Sequence, residues 1–267
     1  MKQTDETLPK IVPLWYYEPG GKTFEILARI KDDPGSLAIL LSSLAREGID
    51  IVQSLSYSKD DTGVWIGFVR HKNTLLTIQR LRGIVMSSPS TISCEIAESV
   101  DGMLIEDLAF PITAAGGDRE IIIGAQFMQA MMRKLKDEFQ SASEVFLYRE
   151  GMAFGELAEA RYIKLLGKER LLKSLKYVFQ ELYSAFGWAK AELISANIEQ
   201  HTATVRLYEN FECPKGHANK ASSHFIRGFL NGTLSVLMDV KTSTKEVRCV
   251  TMGDEFCEFR VTGQAPS

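Results

Sequence analysis

Two cysteines near the C-terminus lie in the segment whose residue types are best suited to chemistry. Glu246 to Val261 holds two of the four cysteines of the chain. Alternation predicts two strands with one apolar face each, Val247, Cys249 and Thr251 before a turn and Cys257, Phe259 and Val261 after it. A hairpin turning at Gly253-Asp254 would place Cys249 opposite Cys257, with Cβ atoms roughly 5 Å apart.

Two adjacent thiolates can hold a metal ion if two more ligands reach them. Glu246 and His224 are the candidates in this part of the chain. Glu246 lies an odd number of residues before Cys249, so a regular strand would point it to the other face unless a bulge reorients it. The same cysteines could instead form a disulfide or fill the core as small apolar side chains.

Composition narrows the class of protein. A chain of 267 residues most naturally forms two domains, and its net charge of −3 argues against direct nucleic-acid binding through a broad basic surface. No apolar run is long enough for a membrane span, and the polar N-terminus lacks the apolar core of a signal peptide. We therefore expect a cytoplasmic protein with no membrane partner. The few, irregularly spaced cysteines favour reduced thiols, with Cys94 in a core.

The first part of the chain has the pattern of an arm followed by a small α+β domain. Residues 1–23 form the predicted N-terminal arm, whose aromatic residues Trp15-Tyr16-Tyr17 pack on the chain itself or on a neighbouring subunit. Residues 24–98 alternate in the order βαββαβ, with a turn at Asp32 to Ser36 and a helix stop at Gly48. This order predicts a ferredoxin-like sandwich.

Residues 24–98 also resemble the ACT domain, a regulatory module. The resemblance rests on Ile30-Lys31-Asp32-Asp33-Pro34-Gly35-Ser36-Leu37 and on Glu47-Gly48-Ile49-Asp50-Ile51. It implies amino-acid binding by Asp33, Gly35 and Ser36, since free amides at a helix N-terminus suit a carboxylate. It also implies a homodimer. The alternatives are a plain tight turn and an ACT domain that only dimerises.

Residues 99–119 have the composition of a linker, and residues 120–262 form the second predicted domain, followed by a tail at 263–267. Helices precede an antiparallel sheet, which makes this domain α+β. We expect a loop or short strand at Val145–Tyr148 and one long helix ending at Gly187. Gly228 and Gly232 are spaced for close helix packing. Met128, Met132 and Trp188 could line an adaptable apolar pocket or simply fill a core.

The second domain resembles the 4-vinyl reductase domain. The matching residues are Phe225-Ile226-Arg227-Gly228-Phe229-Leu230-Asn231-Gly232 and Glu246-x-x-Cys249-x-x-x-Gly253-x-x-x-Cys257-x-Phe259. The resemblance implies the fold shared with haem nitric-oxide sensors and Golgi transport-complex subunits, enclosing an apolar ligand cavity. It also implies zinc held by Glu246, Cys249, Cys257 and a cysteine at the position of Ser223. His224, Cys213 and His217 are the candidates to replace that missing ligand.

The two resemblances together predict a small-molecule sensor and regulatory protein without a catalytic centre. An amino acid would bind the first domain and a hydrophobic or aromatic compound the second, and a transcription factor or enzyme could be the partner that responds. One alternative is an enzyme, or a component of one, that reduces a vinyl group of a tetrapyrrole. Another is a structural partner in a complex. The chain has no nicotinamide or flavin fingerprint to support the enzyme.

Overall fold

The computed structural model describes residues 8–72, 75–114, 117–213 and 219–264. The chain divides into two compact units, Met1–Glu120 and Ile121–Ser267. Both units contain helices and strands, which confirms the α+β class in general terms. Within the described ranges, no helix combines the length and hydrophobicity that a bilayer crossing requires.

The first unit contains the six predicted elements of residues 24–98 in their predicted order, with one short strand on either side. The elements are β1 (Trp15–Tyr17), β2 (Thr23–Lys31), α1 (Ser36–Arg46), β3 (Asp50–Lys59), β4 (Thr62–Arg70), α2 (Ile78–Met86), β5 (Thr91–Glu98) and β6 (Met103–Ile105). Four of the strands form an antiparallel sheet in the order β3-β4-β2-β5.

The core of this unit lies between that sheet and the two helices. Phe24 and Ile26 alternate along β2 and pack with Leu40 and Leu44 of α1 and with residues of α2. Cys94 of β5 belongs to the same core and is 5% exposed, as expected for a small apolar side chain.

Strands β1 and β6 pair with each other, in register from Trp15 with Ile105 to Tyr17 with Met103. The predicted arm and the predicted linker therefore each contribute one strand to a two-stranded sheet. Leu104 is 2% exposed, whereas Trp15 is 63% exposed. The aromatic residues of the arm thus stay largely on the surface of this unit.

A carboxyl group is buried on the sheet face opposite the helices. Glu25 is 0% exposed, and its two carboxylate oxygens find no hydrogen-bond donor in the described part of the chain. Burial raises the pKa of Glu25 to about 8, and the negative charge of Glu106, which follows β6, adds to this effect. Glu25 therefore keeps its proton in the folded protein at neutral pH.

The free energy of unfolding should fall as the pH rises from about 5 to about 8, because the unfolded chain releases the Glu25 proton near pH 4.5 and the folded chain only near pH 8. The slope from this residue is at most about 1.4 kcal/mol per pH unit. Glu25→Gln keeps the neutral form at every pH, so chemical denaturation should show a flatter dependence. Glu95→Gln, an exposed position on β5, is the control. Parallel pH profiles for wild type and Glu25→Gln would contradict this account.

The second unit begins with helices and ends with a sheet. The elements are α3 (Ala125–Phe139), α4 (Ser141–Leu166), α5 (Lys168–Lys173), α6 (Leu175–Ala185), β7 (Lys190–Asn197), β8 (Thr202–Tyr208), α7 (His224–Met238), β9 (Thr242–Arg248), a 3-10 turn (Val250–Met252) and β10 (Cys257–Gly263). The four strands form an antiparallel sheet in the order β7-β8-β10-β9.

Two helix predictions in this unit were wrong. The segment Val145–Tyr148 is neither loop nor strand but lies inside α4, which continues through Gly151 and Gly155. The predicted long helix ending at Gly187 is two helices, because α5 ends at Lys173 and α6 begins at Leu175. Glycine within α4 is compensated by a tertiary contact that single-sequence reasoning does not include.

Helices α4 and α7 touch through their backbones at four glycines. A Cβ atom on Gly228 would lie 2.0 Å from the carbonyl oxygen of Tyr148, and one on Gly232 would lie 2.1 Å from that of Met152. Gly151 and Gly155 of α4 meet α7 in the same way. The predicted close packing at Gly228 and Gly232 is therefore present, and no side chain larger than hydrogen fits there.

Gly228→Ala should destabilise the second unit by ~2 kcal/mol or more, since the backbones must separate to admit the methyl group. Calorimetry would show a lower unfolding temperature for that unit. Gly83→Ala is the matched control, because Gly83 is also inside a helix, but a Cβ there would meet nothing within 4 Å. Alanine favours helix by about 1 kcal/mol over glycine, so this control should be neutral or stabilising. Equal effects of the two substitutions would refute the close contact.

Candidate metal centre

Four potential metal ligands converge in the second unit. The Sγ atoms of Cys213, Cys249 and Cys257 and a carboxylate oxygen of Glu246 all lie within 4.8 Å of one another. The three cysteines are at most 5% exposed. Three of these residues were predicted as ligands, and Cys213 was named as a possible fourth.

A bulge between β9 and β10 explains how Glu246 reaches the thiols. Glu258 pairs with Arg248, but the next residue of β10, Phe259, pairs with Glu246, so Val247 is the extra residue. The shift turns Glu246 to the side of Phe259 and leaves Val247 36% exposed. The prediction that Val247 shares the face of Cys249 was therefore wrong, because a bulge breaks the alternation.

Cys213 arrives from the turn that follows β8. Its N–H donates to the carbonyl oxygen of Asn210 at 3.0 Å, and the Asn210 side-chain oxygen accepts from the N–H of Glu212 at 3.1 Å. This turn brings the Sγ atom of Cys213 to 3.5 Å from that of Cys249.

Ser223, at the position where the resemblance implies a cysteine, lies within the same cluster. Its Oγ is 2.9 Å from the Sγ of Cys213 and donates to the carboxylate of Glu246 at 2.7 Å. The Ser223 N–H donates to the other carboxylate oxygen of Glu246 at 3.1 Å. A thiol from the β8 turn therefore stands beside the hydroxyl that replaces the expected one.

Further groups hold the thiols in place. The hydroxyl of Thr251 is 2.9 Å from the Sγ of Cys249, whose N–H donates to Asp254 at 2.8 Å. Asn210 Nδ2 lies 3.7 Å from the Sγ of Cys257. Asn210 and Glu212 carry no ligand motif, so sequence reasoning missed both residues.

The spacing suits a tetrahedral metal ion. Ligands at about 2.3 Å from a tetrahedral centre stand roughly 3.8 Å apart, close to the separations found here. Three thiolates and one carboxylate would occupy all four positions, which is typical of a structural rather than a catalytic site.

The thiols are unequal in acidity when they must share charge among themselves. The hydrogen bond from Cys213 lowers the pKa of Cys249, and its own bond to Cys249 raises the pKa of Cys213. For Cys257 the bond from Cys213 lowers the pKa, but Cys249 and burial outweigh it and raise it to about 12. Burial raises the pKa of Glu246 to about 8. A divalent cation would favour the charged form of all four groups.

His224 does not join the cluster. It begins α7, and its ring lies between Glu144, with Nε2 4.0 Å from the carboxylate, and Arg227, 3.4 Å from Nδ1. Burial lowers the pKa of His224 to about 4, so its ring is neutral at physiological pH. His217, the other candidate ligand, lies outside the described residues.

A buried glutamate caps the helix that begins beside the cluster. The carboxylate of Glu212 accepts from the N–H groups of Phe225 at 3.0 Å and Ile226 at 2.8 Å. Burial raises its pKa to about 7, and these two bonds partly offset the effect. Glu212 and Cys213 together tie the β8 turn to the start of α7.

The predicted ligand residues of the first unit lie at the start of α1. Asp33 and Gly35 are exposed, and Ser36 is 5% exposed. The Ser36 N–H already donates to the carbonyl oxygen of Asp33 at 3.0 Å. Gly35 has a φ of 91°, which a residue with a side chain rarely adopts, so the turn requires glycine.

The predicted ligand residues of the second unit lie in or against its core. Met132 is 3% exposed, and Met128 packs against the same core. Trp188 is half-buried at the centre of an aromatic cluster. Its ring centroid lies 5.1 to 6.2 Å from those of five others, Phe154, Tyr183, Phe211, Phe225 and Phe229.

Comparisons with known proteins single out the segment that carries the cluster. The family model of the 4-vinyl reductase domain matches residues 203–263, which include all four candidate ligands. The predicted 4-vinyl reductase domain is confirmed for these residues. No curated protein matches the chain.

Three solved structures are similar to part of the chain. The phenol-responsive sensory domain of the transcription activator PoxR with phenol is 18% identical, with a TM-score of 0.47, over 55% of this chain and 78% of that one. A trafficking protein particle complex subunit 3 from Naegleria fowleri, covalently bound to palmitic acid, is 16% identical (TM-score 0.43; 53% and 95%). A vinyl-4-reductase family protein from Methanocaldococcus jannaschii is 18% identical (0.35; 52% and 78%).

Cys213→Ser should weaken metal binding at least tenfold, since it removes one of four ligands. Co²⁺ is a suitable probe, because its absorption reports thiolate ligands. Adding Ser223→Cys to Cys213→Ser should restore binding, because the Ser223 side chain already lies beside Glu246 and the thiols. Cys94→Ser, in the first unit, should leave binding unchanged. Full Co²⁺ affinity in Cys213→Ser would exclude Cys213 as a ligand.

Proposed function

We propose that the chain is a ligand-sensing regulatory protein. In this proposal the second unit is a 4-vinyl reductase-type module that binds an apolar or aromatic small molecule and is fastened by a structural zinc ion. The first unit is an ACT-type module that pairs two chains and binds an amino acid, and a separate transcription factor or enzyme responds. The observation that carries the proposal is the convergence of Cys213, Glu246, Cys249 and Cys257 within a segment that matches the 4-vinyl reductase domain.

The donor set favours zinc over other divalent metals. Thiolates select soft or borderline ions, and a buried cluster of three sulfurs and one oxygen disfavours Mg²⁺ and Ca²⁺, which prefer oxygen ligands. The four ligands come from the β8 turn, from β9 and the residue after it, and from the start of β10. One ion would therefore join the middle and one edge of the sheet to the beginning of α7.

The aromatic cluster around Trp188 is the proposed ligand site. Phe225 and Phe229 reach it from α7, and Tyr183 reaches it from α6. Met128 packs against the same core, and its flexible thioether suits a wall that adapts to a guest. Phe154 of α4 is 52% exposed although its ring contacts the cluster, so it is the side chain through which a ligand would enter.

Metal and ligand would act on the same helix. The turn that holds Cys213 caps α7 through Glu212, and Phe225 lies only one residue beyond His224 at the helix start. Losing the ion would free this end of α7 and loosen two rings of the ligand site. Zinc therefore keeps the sensor in its binding-competent form.

The proposed ACT module is supported by its strand order and its α1 turn. The order β3-β4-β2-β5 with two helices on one face is that of a ferredoxin-like sandwich. Asp33 and Gly35 are exposed where an amino acid would approach α1, and Ser36 follows them. Leu55 and Tyr57 are 48% and 45% exposed on edge strand β3, where a second copy could pair.

A reductase is less well supported than a sensor. A catalytic zinc keeps one position open for water or substrate, whereas the four donors here would fill a tetrahedron. We therefore assign the metal to the fold and leave ligand binding to the aromatic cluster.

Native mass spectrometry of the untagged full-length protein tests the proposal in one measurement. We expect a dimer that retains one zinc ion per chain, together with any bound small molecule. A monomer at micromolar concentration would reject the pairing role, and a metal-free protein that folds and binds aromatics normally would reject the structural zinc.

Aromatic binding is tested directly with benzyl alcohol. Thermal denaturation should show stabilisation of the second unit by this probe, because a ligand of the folded state raises its stability. Trp188→Leu should weaken binding about tenfold, since it removes the central ring. Trp15→Leu is the control, because Trp15 lies on the surface of the first unit. If Trp188→Leu binds as well as wild type, the site lies elsewhere.

A further inference from the structure

Two polar groups are buried without partners beside the aromatic cluster. The Tyr183 side chain is 5% exposed, and its hydroxyl finds no hydrogen-bond partner among the residues described. Glu159 is 8% exposed, and no described residue donates a hydrogen bond to its carboxyl group. Buried polar groups in native proteins are nearly always paired, so an unpaired couple needs an explanation.

The packing of α4 explains how Glu159 comes to be there. The buried stripe of this helix consists of Ser143, Leu147, Gly151, Gly155 and Glu159, one residue per turn. Its glycines press against α7, and Glu159 continues the stripe one turn beyond them. A long acidic side chain is thus carried inward on the helix face that contacts α7.

Tyr183 connects Glu159 to the rings. The negative charge of Glu159 raises the pKa of the Tyr183 hydroxyl in addition to the effect of burial, so the two groups are close. The Tyr183 ring meets Phe229 at 5.9 Å and Trp188 at 6.2 Å, edge to face in both cases. The hydroxyl and the carboxyl therefore form a polar end to the aromatic cluster.

The charge of this polar end limits which ligand fits. Burial raises the pKa of Glu159 to about 7, and Lys168 only partly offsets this because it forms an ion pair with Asp239. An anionic ligand would be repelled by the ionised carboxyl group. An ammonium group has three N–H donors, enough for both Glu159 and Tyr183, and its charge would balance the carboxylate beside rings that attract cations.

We propose that Glu159 and Tyr183 anchor the ammonium group of an aromatic amine whose ring packs on Trp188 and Phe229. This inference rests on the proposed function, because it assumes that the aromatic cluster is a ligand site. It goes further in naming the ligand class and the two residues that select it.

Calorimetric titration of the full chain at about pH 8, where Glu159 is largely ionised, tests the assignment. Benzylamine and benzyl alcohol have the same shape and differ in charge. We expect wild type to bind benzylamine at least tenfold more tightly. Glu159→Gln should remove this preference, and Tyr183→Phe should reduce it. Glu150→Gln, an exposed acid on the same helix, should leave it unchanged.

The outcomes separate the two proposals. If benzyl alcohol binds as tightly as benzylamine to wild type, the amine assignment is overturned while the apolar ligand site stands. If neither probe binds, both proposals fail. If Glu159→Gln keeps the preference for benzylamine, Glu159 is not the anchor. If the amine preference survives in Tyr183→Phe at full strength, the hydroxyl plays no part in recognition.

Discussion

The backbone contact between α4 and α7 is the constraint on which the second unit depends. Four glycines, two on each helix, let carbonyl oxygens of one helix approach the other at distances that no Cβ atom permits. Contacts this close fix both the spacing and the rotation of the helices. Because α7 also carries Phe225 and Phe229, the same contact decides where the rings of the aromatic cluster stand.

The start of α7 is fixed by a different kind of interaction. Ser223 precedes the helix and bonds to Glu246 through both its N–H and its hydroxyl, while Glu212 accepts from the first helical amides. These bonds join the helix start to β9 and to the β8 turn. A metal ion bound by the neighbouring thiols would reinforce connections that hydrogen bonds already make, which is why the cluster suits a structural role.

Local sequence patterns predicted the elements well where periodicity and stop signals agree, as for β2, α1 and α7. They failed where a distant contact changes the local preference. Glycine at 151 reads as a helix boundary, yet the helix continues because α7 packs against that face. Likewise the bulge at Val247 cannot be seen in the sequence, although the need for one follows from the odd spacing of Glu246 and Cys249. The candidate site was predicted to a similar degree. Glu246, Cys249 and Cys257 belong to one short segment, so their meeting requires only a hairpin. Cys213 is separated from them by a whole helix, and its approach depends on a turn built by Asn210, whose role is visible only in the fold.

The buried acids of the second unit differ in a way that gives Glu159 its significance. Glu258 is paired with Arg206, whose hydrogen bond lowers the pKa of Glu258 despite burial. Glu212 accepts two helix amides, and Glu246 is held by the serine before that helix. Each of these carboxyl groups has a structural task and the donors that the task requires. Glu159 has the same burial without donors among the described residues, so its retention inside the protein points to a partner that arrives from outside.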